Sequence, residues 1–415
     1  MLLVAACGDR RGGVPVLTWY VNPDNGGQAR LAEKCTREAN GAYRIDLQML
    51  PSTADAQREQ LVRRLAGRDR SIDLMSLDPP FVAEFANAGF LRSITRAEDV
   101  TSLTDDVLEA PLRAAYWKGT LVAVPLWANT QLLWFRKSVA AAAGVDPTHE
   151  SFTWQDAIAA AERQGKIVAV QGDRYEGYVV WINALVISSG GQILADPAAG
   201  AAATPAIASA AGDRAAEIVG GLARSPAAAP DVGTAREEEA RAAFLGKQGG
   251  FMVNWPYVWN AARDAVQAGS LAQSLVDDIG WARYPRTESG RPSRPPLGGI
   301  DVAIGGFTQH PELALRAVRC ITSLESQIQL MLDTGLPAAR SAAYDPPAVQ
   351  HRLPMASLIR ESIAEAGARP LTPYWVDVSA AVQRSWHPPS AVYEPGTPQA
   401  SARLIADVLQ GKVLL

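Results

Sequence analysis

VLTWYVNPDNGGQARLAEKCTREANGAYRIDLQML, residues 16–50, holds one complete strand–helix–strand unit. Val16 to Tyr20 is a short apolar strand, Gly26 to Asn40 is a helix beginning near Asn25, and Tyr43 to Leu50 alternates as a second strand. The pattern then repeats, with an amphipathic helix over Ala54 to Ala66 and a third strand over Ile72 to Ser76. Strands that alternate with helices imply parallel βαβ units and an α/β fold. Downstream the same reading predicts a helix at Pro80 to Ala88, a strand at Thr120 to Pro125, and a strand at Thr130 to Phe135 running into a helix. Thr153 leads a further helix, Tyr178 to Ser188 is apolar and helical, and Ala206 to Leu222 keeps a helical period. Phe251 to Asn254 and Gly298 to Ile304 are further strands, and the chain beyond Gly305, including a helix at Pro311 to Leu324, is almost wholly helical. At 415 residues the chain exceeds one compact core, so two lobes are expected.

Composition narrows the function. Hydrophobic residues make up 48% and charged residues 20%, ordinary values for a globular protein. The net charge of −4 provides no general attraction for nucleic acid or anionic lipid. The 11 Trp outnumber the 10 Tyr and 8 Phe. Indole suits either a packed core or a flat ligand face, so each Trp has both readings. No phosphate-cradling G-x-x-x-x-G-K-[ST], no G-x-S-x-G elbow and no H-E-x-x-H occurs. His149, His310, His351 and His387 are scattered, which fits neither a metal site nor a nucleophilic relay. Carboxylates are plentiful, but no acid/base pair is nominated.

Residues 1–7, Met1-Leu2-Leu3-Val4-Ala5-Ala6-Cys7, read as the end of a bacterial lipoprotein signal, with Gly8 to Val14 as a tether. The basic region and most of the apolar region of such a signal are missing, which implies a start further upstream. Cleavage before Cys7 would expose its thiol for lipid attachment and anchor the protein on the outer face of the cell membrane. Cys35 and Cys320 remain. In an oxidising compartment they form a disulfide or stay as two buried thiols, and the bond requires both helices on one lobe.

Five ordered stretches carry a resemblance over nearly all of the chain after the tether. They are Asp73–Asp78 with Phe81–Phe85; Tyr116–Pro125; Asn129–Phe135; Ala242–Lys247 with Phe251–Pro256; and Leu297–Gly299 with Gly335–Arg340. In this order and spacing the chain resembles the extracellular solute-binding proteins of carbohydrate ABC importers. Within that family Thr130–Trp134 and Arg369–Tyr374 are similar to the mycobacterial trehalose-binding lipoproteins. The resemblance implies a two-lobe, periplasmic-binding-protein-like fold, each lobe a mostly parallel sheet flanked by helices, with the ligand cleft between. Residues 15–126 plus 297–342 would form one lobe, and 127–296 plus 343–415 the other. Cys35 and Cys320 then share a lobe, which favours the disulfide. The implied partners are a disaccharide, permease subunits with their ATPase, and the membrane through Cys7. No cofactor, metal or nucleic acid is implied, and the role is capture rather than catalysis.

Matched residue by residue, the implied ligand contacts are Asp78, Asn129, Glu237, Trp255, Gly299 and Arg369, with Asn25 and Gln28 in the first loop. These types suit a sugar. Carboxylates orient hydroxyl protons, a guanidinium is a fixed fork of donors, Asn both donates and accepts, and an indole covers a ring's C–H face. Relatives carry an aromatic residue at the position of Ile300, for which Trp127 or Tyr374 can substitute. Each contact has a bland alternative. Asp78 can cap the helix opened by Pro79-Pro80, Glu237 can belong to a solvated acidic face, Arg369 can pair with a surface carboxylate, and Trp255 can be core. The same architecture can also serve maltose, an oligosaccharide or a glycerophosphodiester, and a surface glycan-processing enzyme is the remaining rival.

Overall fold

The computed structural model describes residues 13–415. The signal-like residues 1–7, with the lipidation candidate Cys7, and tether residues 8–12 lie outside the described residues. Strands β1 (Val16–Val21), β2 (Arg44–Met49) and β3 (Leu74–Leu77) lie parallel, with Trp19 opposite Leu47 on one side and Leu74 on the other. Helices α1 (Gly27–Glu38) and α2 (Ala54–Ala66) make the two crossovers. All four residues of β3 are buried, as expected for a central strand covered on both faces. β4 (Val124–Asn129) and a late strand, β9 (Gly298–Ile304), complete this sheet in the order β2-β1-β3-β9-β4.

A second sheet collects β5 (Leu132–Arg136), β6 (Ile167–Ala169), β7 (Gly249–Asn254) and β8 (Ile279–Ala282) in the order β8-β5-β7-β6. The expected mostly parallel sheets are corrected to mixed ones. β9 runs antiparallel to both its neighbours, and β5 runs antiparallel to β8 and β7. The reason is connectivity. Only residues 130 and 131 separate β4 from β5, so the chain crosses straight from one sheet to the other without a crossover helix. Gln131 anchors this crossing by donating to Gln171 at 2.8 Å, and Gln171 donates to the Val253 carbonyl at 2.9 Å.

The strand expected at Thr120 to Pro125 is two elements. Lys118 and Gly119, both with positive φ, turn Tyr116–Trp117 back onto Thr120–Leu121, and β4 starts afresh at Val124. The helix expected over Pro311 to Leu324 ends at Ile321, because Ser323 caps a new one. These are α6 (Pro311–Ile321) and α7 (Leu324–Thr334). Cys35 of α1 and Cys320 of α6 are disulfide-bonded, with Cα atoms 5.8 Å apart. Most of the tryptophan is core: Trp19, Trp134, Trp154, Trp181, Trp375 and Trp386 are fully buried. Trp154 lies 5.5 Å from Trp181 and 5.6 Å from Tyr284, ring centre to ring centre.

Candidate functional site

A cavity of about 890 Å³ opens between the two sheets. Asp78 enters it from the end of β3. It stands at the cap position of helix α3 (Pro79–Asn87) but makes no side-chain cap bond. Pro79 and Pro80 have no N–H to offer, and the Phe81 amide bonds the Asp78 carbonyl at 3.0 Å instead. The carboxylate is therefore free to accept from Arg369, at 2.7 Å from Nη2 and 3.3 Å from Nη1.

Arg369 is shared. Its Nη1 also donates to Glu176 at 2.8 Å. Glu176 opens helix α4 (Glu176–Ser188) and further accepts from the Trp375 indole at 2.8 Å and from the Ser379 hydroxyl. The side chains of Arg369 and Glu176 are only 5% and 9% exposed. Charges this deep need partners, and here one guanidinium serves two carboxylates. Burial raises Asp78 above the ordinary carboxylate range, Arg369 opposes that shift, and Glu176 adds to it. Among the described residues the Arg369 Nε has no partner, which leaves one donor unused.

Glu237 begins helix α5 (Glu237–Leu245), and it lines the cavity together with Glu238 and Glu239. Glu238 pairs with Arg241 at 2.5 Å, and Glu239 accepts from the Arg236 amide at 3.1 Å. The Glu237 carboxylate lies beside Tyr175, whose phenol is pushed up by burial and by that charge. Asn254, the last residue of β7, ties this corner together. Its side chain donates to the Glu237 carbonyl at 2.9 Å and accepts from the Trp255 amide at 2.8 Å. The Trp134 indole bonds the Asn254 carbonyl at 3.0 Å.

Trp255 rests on glycine. A Cβ at Gly298 would stand 3.0 Å from the indole ring, so any side chain there would move it. Gly299 has φ +132, and a Cβ on it would lie 2.3 Å from the Trp127 carbonyl oxygen. Both demands select glycine. Asn129 faces Gly298 across the strands and lines the cavity, its Oδ1 accepting from the Thr130 amide at 3.0 Å.

The structure thus brings six expected residues to one cavity: Asp78, Asn129, Glu237, Trp255, Gly299 and Arg369. The first loop meets it differently from expectation. Asn25 is a positive-φ turn residue, and Gln28 is fully buried, bonding the Asn22 carbonyl at 2.9 Å and the Ser76 hydroxyl at 2.5 Å. Neither lines the cavity; Asn22, Pro23 and Asp24 do. Trp127 lines it, whereas Tyr374 does not. Glu176 is the main residue that sequence reading missed, because an acid opening an apolar helix looks like ordinary first-turn charge. The lining carries seven carboxylates against three guanidinium groups.

The sequence matches the family described as bacterial extracellular solute-binding protein over residues 36–328. A curated relative, a probable ABC transporter-binding protein of Deinococcus radiodurans, is 27% identical over 262 residues, 61% of this chain. The chain spans 60% of the length of that relative. Among solved structures, maltose-bound MalE3 of T. maritima matches with a TM-score of 0.80 at 23% identity, covering 96% of this chain and 100% of that one. The GacH receptor of Streptomyces glaucescens, solved unliganded and with acarbose, matches at 0.75 and 19%, covering 96% and 98%. A solute-binding protein of Agrobacterium vitis with bound D-mannitol matches at 0.72 and 16%, covering 96% and 98%. These likenesses identify the fold as the two-lobe, periplasmic-binding-protein-like α/β fold.

Proposed function

The chain belongs to the bacterial extracellular solute-binding protein family, and from that premise we propose that it captures a sugar, trehalose or a related disaccharide, for an ABC importer. It binds and does not catalyse, as its relatives do. The observation that carries the reading is the pairing of Trp255 on Gly298 with the Asp78–Arg369–Glu176 group in one cavity. A flat indole offers a face for C–H groups, while fixed acceptors and one unused guanidinium donor suit hydroxyls, which both donate and accept. The named ligands of the structural relatives, maltose, acarbose and D-mannitol, are all polyhydroxylated, which supports a sugar over an unrelated solute.

The mechanism is closure. Two lobes of the expected extents, the first carried to Asn129 by β4, rotate about residues 130 and 131 and the other crossings. The ligand stabilises the closed state because only there do Asp78 and Asn129 from one side meet Glu237 and Trp255 from the other. Permease subunits then receive the closed form, with ATP hydrolysed on a separate subunit. Lipid on Cys7 holds the receptor at the outer face of the membrane; among the described residues no helix is long and apolar enough to cross it.

The acidic lining disfavours a glycerophosphodiester, whose phosphate would meet seven carboxylates. Thermal shifts over a sugar panel test the assignment. Stabilisation by trehalose is expected, and a response to maltose with none to trehalose overturns it. Product analysis after incubation with the bound sugar tests the receptor role, since turnover would make the chain an enzyme.

A further inference from the structure

A second cavity, of about 510 Å³, lies at the edge of the second sheet and shares no lining residue with the cleft. Its size falls within the range of small-molecule sites, roughly 300–1,000 Å³. The edge strand β8 supplies one wall, where Ile279 and Trp281, two residues apart, project to the same face. The helix Tyr257–Gln267 supplies another, because Trp259, Arg263 and Val266 recur at helical spacing. The short helix Gln273–Asp277 closes the space with Val276. This site is remote from the cleft. Ile279 pairs with Arg136 at the far end of β5, whereas Asn254, just before Trp255, pairs with Leu132 at the end next to the lobe crossing.

The lining joins an aromatic corner to uncommitted cations. The Trp259 and Trp281 rings meet edge to face with centres 5.3 Å apart. Both indoles are only partly buried, so ring surface remains for a ligand. The Trp259 indole N–H is buried and, among the described residues, has no partner, which leaves a donor in want of an acceptor. Lys137 is held by its bond to the Asp277 carbonyl at 2.9 Å, and two of its three protons remain. Among the described residues Arg263 enters no ion pair, whereas Arg241 and Arg283 nearby in sequence are paired with glutamates. The one carboxylate of the lining, Asp277, already accepts from Gln273 at 2.8 Å. The balance is the reverse of the cleft, where seven carboxylates meet three guanidinium groups.

We propose that this cavity binds a small aromatic carboxylate, at a site separate from the sugar cleft. The flat ring packs on the two indoles, and the carboxylate takes the Arg263 fork, whose paired N–H groups match its two oxygens. Lys137 adds charge, and the Trp259 N–H is a further donor. A neutral sugar is disfavoured here, because its hydroxyls need acceptors as well as donors and the one carboxylate is taken.

Calorimetric titration of the full chain with β-naphthoate, and with β-naphthamide as its uncharged counterpart, tests the site. The carboxylate should bind at least roughly tenfold more tightly than the amide. Arg263→Gln should remove that advantage while leaving the affinity for the amide unchanged, and Trp281→Ala should weaken both probes, with circular dichroism confirming each fold. Trp255→Ala, which alters the cleft, should leave both probes unaffected. Absence of naphthoate binding, equal affinity of the two probes, a preference that survives Arg263→Gln, or a silent Trp281→Ala overturns the proposal. Loss of naphthoate binding in Trp255→Ala would place the probe in the cleft and overturn it as well. The sugar reading stands or falls separately, on the sugar panel.

Discussion

The two walls of the cleft are built by different means. On the first-sheet wall, Asp78, Asn129, Gly298 and Gly299 stand where strands end, and their own backbone places them. On the second-sheet wall, Glu176 and Arg369 are held by side chains far away in sequence, and Trp255 by Asn254, whose own contacts reach Glu237 and Trp134. Glu176 depends on Trp375 and Ser379, Arg369 depends on Glu176, and Trp255 depends on Asn254. A wall fixed by its backbone tolerates loss of a side chain; a wall fixed by mutual contacts does not.

The largest effect should therefore come from the second wall. Arg369→Ala leaves the buried Glu176 and the half-buried Asp78 without that cation, and breaking such a group costs about 3–5 kcal/mol. Chemical denaturation should show that loss, and sugar binding should fall below detection in calorimetry. Asp78→Asn keeps the Arg369–Glu176 pair and an isosteric acceptor, so its stability cost should be about 1 kcal/mol. Equal costs for the two variants would break the distinction between the walls.

The same distinction explains what the sequence made legible. The βαβ start is local, and local pattern finds it; Asp78 and Gly299 sit in short contiguous stretches whose resemblance to the family implies them. The role of Glu176 is not local: its partners lie 193, 199 and 203 residues away. The register within Glu237–Glu238–Glu239 is not sharp even in the structure: all three line the cavity, Glu238 while paired with Arg241 and Glu239 while accepting from the Arg236 amide. Gln28 is implied as a cleft residue by the resemblance, but Trp19 donates to Ser76, Ser76 donates to Gln28, and that chain takes the amide into the core. The surplus of tryptophan leaves core and ligand face both open for each residue, and six of the 11 are fully buried.

The first wall has one buried liability, and it sharpens the comparison through pH. Asp301 pairs with Leu77 across the strands, next to Asp78; it is 1% exposed, and among the described residues its Oδ2 has no partner. Burial first, and the Asp78 charge second, raise it well above the ordinary range. A raised carboxyl contributes stability that is fully present below the unfolded value, about 3.9, and lost as pH rises through the folded one. Relative to Asp301→Asn, the natural protein should lose about 1.4 kcal/mol of stability per pH unit across that window. Denaturant melts at stepped pH measure this, and parallel curves for the two proteins would clear Asp301 of the role. Adding Asp78→Asn should narrow the window, because one of the two causes is then gone.

The smallest expected effects join the walls at Trp255 and Gly298. Trp255→Ala removes the ring face and should weaken sugar binding roughly 10- to 100-fold, about 1.4–2.8 kcal/mol, with little change in stability because the indole is only partly buried. Gly298→Ala places a methyl 3.0 Å from the ring, tight enough to shift the indole by a few tenths of an ångström. A several-fold loss of affinity should follow. If the glycine acts only by giving the indole room, its substitution should be silent in a Trp255→Ala background, where no ring remains to be displaced. A double-mutant cycle measures that coupling. Additive losses would instead place the effect of Gly298 in the strand itself, through Asn129 opposite it, and the backbone-built wall would then carry binding that is here assigned to the indole.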